Sequence, residues 1–341
     1  GYYDQRIDHS GNVEVAYIRK YYDYLEDTGI VVDVDTFGEK VKVKAYLVRP
    51  ELFGTCPVYL LTTDIEGNSD WAKSISYKLY DGNEKIRIAQ ETVLGVGGVR
   101  ILQAVGYPFD VIHMNEGHAG FLSLARLEHL VNDCGYAPDV ALEIVWRSNI
   151  FTTHTPVPAG NEVFDINLVK PYLMPYAASA KFDIERVIRW GIPIHDRDRT
   201  GEMSMTVFGL RMAANYSNGV SKLHGEVARN MWKHLWPERS DAEIPIGHIT
   251  NGVHISSWIS AQSRRNCSAL CTLRRNRITL PILYSRISCL NSSESSVPWK
   301  PKISFCPSIC LTVISISITP LSEFLCQNAH FLQSAGGTFP A

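Results

Sequence analysis

Phe109-Asp110-Val111-Ile112-His113-Met114-Asn115-Glu116-Gly117-His118 opens on a short apolar run and closes on polar groups beside a glycine. Ser148-Asn149-Ile150-Phe151-Thr152-Thr153-His154-Thr155-Pro156-Val157-Pro158-Ala159-Gly160 repeats the design, with a strand over 148–153 that delivers hydroxyl and imidazole groups at its end. Between them, 119–132 carries Leu122, Ala125, Leu127 and Leu130 at helical spacing, and Val140–Arg147 reads as a second helix. Strand, loop, helix, strand is the rhythm of a parallel α/β sheet. Such sheets bind ligands at the carboxyl ends of their strands, where both polar stretches fall. The spacing therefore predicts an α/β, Rossmann-like fold with a polar site on the strand tips.

Working outward, Glu84–Val93 predicts a helix with Ile86, Ile88 and Ala89 toward the core, and Val99–Val105 continues helically after Gly95, Gly97 and Gly98. Gly95-Val96-Gly97-Gly98 lacks the last glycine of the dinucleotide fingerprint, because position 100 is Arg, and it follows a helix rather than a strand. It excludes nicotinamide binding and suits close helix packing. Val41–Val48 alternates apolar with polar residues, and 57–62 is β-rich, so an antiparallel hairpin is expected over 31–63. Residues 12–27 read as a strand entering a loop. On the other side, Phe208–Trp236 predicts one long helical region broken near Asn218-Gly219, and Ile249–His254 a strand or turn.

The 341 residues are 45% hydrophobic, enough for a sizeable core, and the formal net charge of −2 excludes nucleic acid held by bulk electrostatics. No basic stretch followed by an apolar one marks a secretory leader. The chain opens on Gly1, which leads us to expect a fragment or a processed product. Composition breaks along its length: 33 of the 35 acidic residues and two of the eight cysteines lie in 1–261. We expect 1–261 to be one selected region and 262–341 an aberrant tail, unrelated or frameshifted from near Ala261–Ser263 and disordered. Ile303–Ser322 is uncharged, but Pro307, Pro320 and many hydroxyl residues argue against a membrane helix.

His154 enters a loop held extended by Pro156 and Pro158, so its ring is either a satisfied core group or an aimed one. Asn115 and Glu116 could cap the following helix or face a ligand. No metal is expected: His113 and His118 are five apart, and no His-Glu-x-x-His pair lies on a helix. Asn251-Gly252 has the form of an ordinary turn.

Taken together, His113–His118, Thr152–Gly160, Asn218–Glu226 and Thr250–His254 resemble the α-glucan (glycogen and maltodextrin) phosphorylases of bacterial type, a family of pyridoxal-phosphate glycosyltransferases. The resemblance covers the chain to about Ile259. It implies a GT-B arrangement of two Rossmann-like domains, of which 1–261 is part of the N-terminal one. It implies phosphorolysis of an α-glucan to glucose 1-phosphate with retention, in a cytoplasmic and usually dimeric enzyme. By the same resemblance His154 is the catalytic-site histidine that bonds the sugar. Asn115, Glu116, His118 and Asn251 are substrate-binding, and Trp258 lies against pyridoxal phosphate. No stretch after residue 261 is similar to the family's lysine-bearing motif, so the attachment lysine is absent and this chain is expected to be inactive. The alternative is a non-catalytic carbohydrate-binding remnant. The nearest rival enzyme is a nucleotide-sugar GT-B transferase such as a glycogen synthase.

Overall fold

The computed structural model describes residues 2–18, 22–54, 56–78, 81–157, 161–192, 201–214 and 216–252. Residues up to Thr250 belong to one compact unit; Asn251 begins a second, in which Asn251 and Gly252 are described. The tail reading for 262–341, including the uncharged run, lies outside the described residues.

The strands are β1 (Tyr2–Ile7), β2 (Val13–Ile18), β3 (Glu26–Thr36), β4 (Glu39–Val48), β5 (Val58–Thr62), β6 (Ile112–Asn115), β7 (Asn149–Thr153), β8 (Val163–Asp165), β9 (Glu202–Ser204), β10 (Ser217–Gly219) and β11 (Ile246–His248). A parallel sheet in the order β11-β10-β7-β6 is the centre of the fold. Helices Leu122–Asn132 and Pro138–Ser148 lie between β6 and β7, and Lys222–Trp232 lies between β10 and β11. The expected hairpin over 31–63 is present and larger, as the antiparallel sheet β3-β4-β5. Its alternation is visible as Val41, Val43 and Ala45 buried while Lys42 is exposed.

Helix starts follow local chemistry. The side chains of Ser69, Asn83, Asp165, Asp183, Ser204 and Ser221 each accept from a free backbone N–H of the turn they precede. One helix defies its local signals: Ile166–Ser179 contains Pro171 and Pro175. Packing overrides the lost bonds, because Val169, Tyr172, Leu173 and Tyr176 are buried, and the two tyrosine hydroxyls donate to Lys85 O (3.0 Å) and Asp35 O (2.8 Å).

One expectation needs correcting. Asn218-Gly219 does not break a helix; it is β10, the third strand of the parallel sheet, and the predicted 208–236 helix is divided into Met205–Met212 and Lys222–Trp232. The side chains of Ser217 and Asn218 are buried, so their polarity conceals a strand with both faces covered. The expected helical continuation past glycines 95, 97 and 98 is present. Val93–Gly97 is a π-helical segment joining Glu84–Thr92 to Gly98–Val105.

Those glycines are packing positions. A Cβ on Gly95 would stand 2.6 Å from Leu122 N, and one on Gly209 would stand 2.3 Å from the Phe151 ring. Phe121, Phe208, Trp190 and Phe182 then chain through the core, with ring centroids 5.4–6.3 Å apart. Among the described residues no helix is long and apolar enough to cross a membrane.

Gly95→Ala is expected to destabilise the chain by about 1–3 kcal/mol, because the neighbour it meets is backbone and cannot swing aside. Gly82→Ala, where a Cβ meets nothing within 4 Å, should stay within about 0.5 kcal/mol of the parent. Urea unfolding of the two variants checks the contrast.

Candidate functional site

The register of the parallel sheet aligns Asn115 with Thr152, and Thr152 with Asn218. Three strand tips therefore sit side by side, and their side chains are wired across the ladder. The Thr152 hydroxyl donates to Asn218 Oδ1 (3.0 Å), so it accepts from His113 Nε2 at 2.6 Å. His113 carries its hydrogen on Nε2. Burial, with His154 adding to it, holds its pKa below the ordinary value, so the ring is neutral.

Glu116 is the pivot of the site. Its backbone adopts φ 64° and ψ 178°, a conformation sparsely populated outside glycine. Two contacts impose it: Glu116 N extends the β6–β7 ladder to Thr152 O (2.9 Å), and Gly117 lies so close to Met205 that a Cβ would meet it at 2.9 Å. The buried carboxylate is carried across to the next loop. There Oε1 accepts from Thr153 Oγ1 (3.1 Å), Thr155 N (3.0 Å) and His154 N. Helix capping, one of the two readings for Asn115 and Glu116, is thereby corrected: no side chain caps the Gly117–Ala119 turn.

His154 Nε2 meets Asn115 Oδ1. An amide oxygen only accepts, so Nε2 carries the hydrogen and Nδ1 keeps its lone pair. Burial lowers the His154 pKa; Glu116 opposes this, and His224 and His118 reinforce it. The fold thus brings Asn115, Glu116 and His154 into direct contact.

His118 sits in a neighbouring cluster of charges. Its Nδ1 lies 2.9 Å from Glu162 Oε2, 2.8 Å from Arg87 Nη2 and 3.7 Å from Glu91 Oε1. Arg87 also meets Glu162 through Nε and lies 3.6 Å from Glu91. Burial alone would lower the His118 pKa, but the carboxylates of Glu162 and Glu91 outweigh it and raise it to about 9. Glu91, almost wholly buried, is pushed up to about 8 by burial, aided by the adjacent Glu162. Burial works in the same sense on Glu162, yet its bonds to Glu91, His118 and Arg87 prevail and hold it well below the usual carboxylate range. The donor atoms of Glu91, His118 and Glu162 lie within 4.8 Å of one another, a spacing open to a metal ion. The guanidinium of Arg87 already stands among them as the compensating cation.

Asn251 is exposed, three residues past β11; Trp258 lies outside the described residues. Sequence reasoning missed Arg87, Glu91, Glu162 and His224. Arg87 and Glu91 carried a signal: a charged pair at helical spacing on a stretch whose other members, Ile86, Ile88 and Ala89, are core. His224 is buried, accepts from Val220 N at 3.1 Å through Nδ1, and leaves a buried Nε2 without a partner.

A parallel α/β sheet with imidazole, amide and carboxylate groups converging on adjacent strand tips defines an α/β protein whose carboxyl edge is the candidate site. No protein-family model matches the chain. The chain is 37% identical over 244 residues to the glycogen phosphorylase of Mycobacterium tuberculosis, covering 68% of this chain and 28% of that protein. It is 36% identical over 240 residues to the maltodextrin phosphorylase of Thermococcus litoralis, covering 69% and 27%. An uncharacterized protein of Methanocaldococcus jannaschii is 40% identical over 232 residues, covering 68% and 40%. Across that stretch the chain is a homologue of the glycogen and maltodextrin phosphorylases, and it spans well under half the length of these relatives.

Two outcomes follow. Glu116→Ala strands the His154 and Thr155 amides and the Thr153 hydroxyl, and should cost on the order of 2–4 kcal/mol. Proteolysis should then open the loop after β7, while Glu116→Gln, which keeps an acceptor, should lose less. The second concerns pH. The folded-state pKa values of His118 and Glu91 both stand above their unfolded values. Each contribution is therefore complete below the unfolded value and is lost as pH rises through about 9 for His118 and about 8 for Glu91. Unfolding free energy should fall by on the order of 2 kcal/mol between neutral pH and about 9. Glu91→Gln should flatten that slope in urea titrations across the window.

Proposed function

We propose that residues 1–261 are part of the N-terminal GT-B domain of an α-glucan phosphorylase, and that the His113–Thr152–Asn218 and Asn115–His154–Glu116 contacts frame the wall that holds one glucosyl unit. The carrying observation is the Glu116 clamp. It fixes the backbone of the His154 loop against the Asn115 strand tip in a homologue of enzymes named for acting on glycogen and maltodextrin.

His154 is the sugar-facing residue. With Nε2–H fixed on Asn115, its neutral ring offers Nδ1 as an acceptor for a sugar hydroxyl, and the Glu116 clamp prevents the loop from withdrawing. Asn115, Glu116, His118 and Asn251 belong to the substrate side and Trp258 to the cofactor side. Pyridoxal phosphate supplies, in this family, a phosphate that exchanges a proton with the attacking phosphate. The described residues do not fit its covalent attachment: every described lysine is exposed or half-buried, and Lys222, the one in the Asn218–Glu226 stretch, is exposed. We therefore propose that these 341 residues bind glucan without turnover, in the cytoplasm, and that pairing into a homodimer belongs to the whole enzyme. In this reading the phosphorylase-like region ends near 261, and 262–341 is foreign to it.

Affinity electrophoresis in glycogen-containing gels tests the reading. The chain should be retarded, Asn115→Ala and His154→Ala should run several-fold less retarded, and an assay for glucose 1-phosphate should stay blank. Unchanged migration of the parent removes the sugar site; phosphorolysis by the parent removes the inactivity.

A further inference from the structure

The chain holds two Asn-Gly pairs, Asn218-Gly219 and Asn251-Gly252. Such a pair is chemically labile because glycine has no Cβ to shield its own backbone nitrogen. That nitrogen can attack the carbonyl carbon of the asparagine side chain and close a small ring, one reason why asparagine is a thermolabile residue. Closure depends on what holds the two groups, and the fold treats the two pairs in opposite ways.

Asn218-Gly219 is held on every side. It lies in β10, which pairs with β7 on one side and β11 on the other. The Asn218 side chain is buried; its Oδ1 accepts from Thr152 Oγ1 (3.0 Å) and its Nδ2 donates to Gly219 O (3.2 Å). Gly219 is also pressed from outside, since a Cβ there would stand 2.8 Å from Gly225 N. Ring closure requires the asparagine ψ to leave the extended range, and two ladders hold it there. Asn251-Gly252 has none of these restraints. Both residues are exposed and lie outside any helix or strand. Among the described residues neither makes a hydrogen bond, and a Cβ on Gly252 would meet nothing within 4 Å.

We propose that Asn251 is a site of spontaneous covalent modification, a deamidation that the folded chain permits at Asn251 and suppresses at Asn218. Hydroxide takes the Gly252 N–H proton, the nitrogen bonds to Asn251 Cγ, and the Cγ–Nδ2 bond breaks with release of ammonia. Water then opens the succinimide at either carbonyl and leaves aspartate or isoaspartate. One water is consumed and one ammonia released, with no oxidation or reduction. A neutral amide thereby becomes a carboxylate, and in isoaspartate the main chain gains a methylene. A consequence for glucan follows only with the reading of Asn251 as a substrate-side residue: retention on glycogen should decline as the protein ages.

Peptide mapping by mass spectrometry, on the full chain incubated folded at mildly alkaline pH and in parallel in urea, tests the proposal. In urea both pairs should deamidate. In the folded chain Asn251 should react at a rate close to that in urea, and Asn218 many-fold more slowly than in urea. Gly252→Ala, at a position where a side chain meets nothing, should keep the fold and slow the reaction at Asn251 several-fold. An Asn251 that stays intact in the folded chain while it is lost in urea overturns the proposal, and so does an Asn218 that reacts as fast as Asn251 in the folded chain. Aged samples run in glycogen gels separate the two readings. Modification with unchanged retardation supports the site and overturns its consequence for glucan, whereas a fresh chain that is not retarded removes the glucan reading alone.

Discussion

One buried carboxylate holds the carboxyl edge of this sheet together. Glu116 sits on β6's side of the ladder, and its Oε1 accepts from three donors in the segment leaving β7. A charged oxygen removed from water is costly, and the donors offset that cost. The same contacts satisfy two backbone amides that an irregular loop would otherwise leave unpaired. The positive φ at Glu116 is the strain that this arrangement overcomes, since the ladder bond to Thr152 and the press of Gly117 on Met205 leave the chain no other path. The tips of β6 and β7 consequently behave as one rigid piece, with His154 mounted on it.

The charges behind that edge follow the same logic. Arg87 and Glu91 on the Glu84–Thr92 helix, both buried, meet the half-buried His118 just past β6 and Glu162 just ahead of β8, and so tie that helix to the loop after β7. Removing one member would weaken the charge compensation of the others. The amino end of β7 has a smaller counterpart, in which the Arg126 guanidinium donates to Asn149 Oδ1 and Ser148 Oγ, and Asn149 donates to Ser123 Oγ. Burial pushes the Arg126 pKa down to about 10. Between these two polar ends lies the aromatic middle of Phe121, Phe151, Phe208 and Trp190. Its packing explains why glycine is needed at 95 and 209.

Much of this was legible before any coordinates. The period-two run of 41–48, the leucine spacing of 122–132 and the apolar strands ending in polar residues specified the α/β class and the edge at which a site would form, because burial of one face imposes its period on the sequence. His154, Asn115 and Glu116 were recognisable as residue types aimed from loop tips. Other features left no local trace. Ser217-Asn218-Gly219 is a strand because its neighbours on both sides supply hydrogen bonds, against its own weak β-propensity. Ile166–Ser179 is a helix despite two prolines because its apolar face is buried.

The sequence by itself determined the order of elements and the chemistry available at the strand tips, since both depend on periodicity and residue type over a few neighbouring positions. Only the tertiary structure decided that Glu116 clamps the next loop instead of capping its own helix, and that Glu162 joins Arg87 across 75 positions of chain. Those outcomes depend on which distant groups are brought within hydrogen-bond reach in a space without water, and no local pattern encodes that distance.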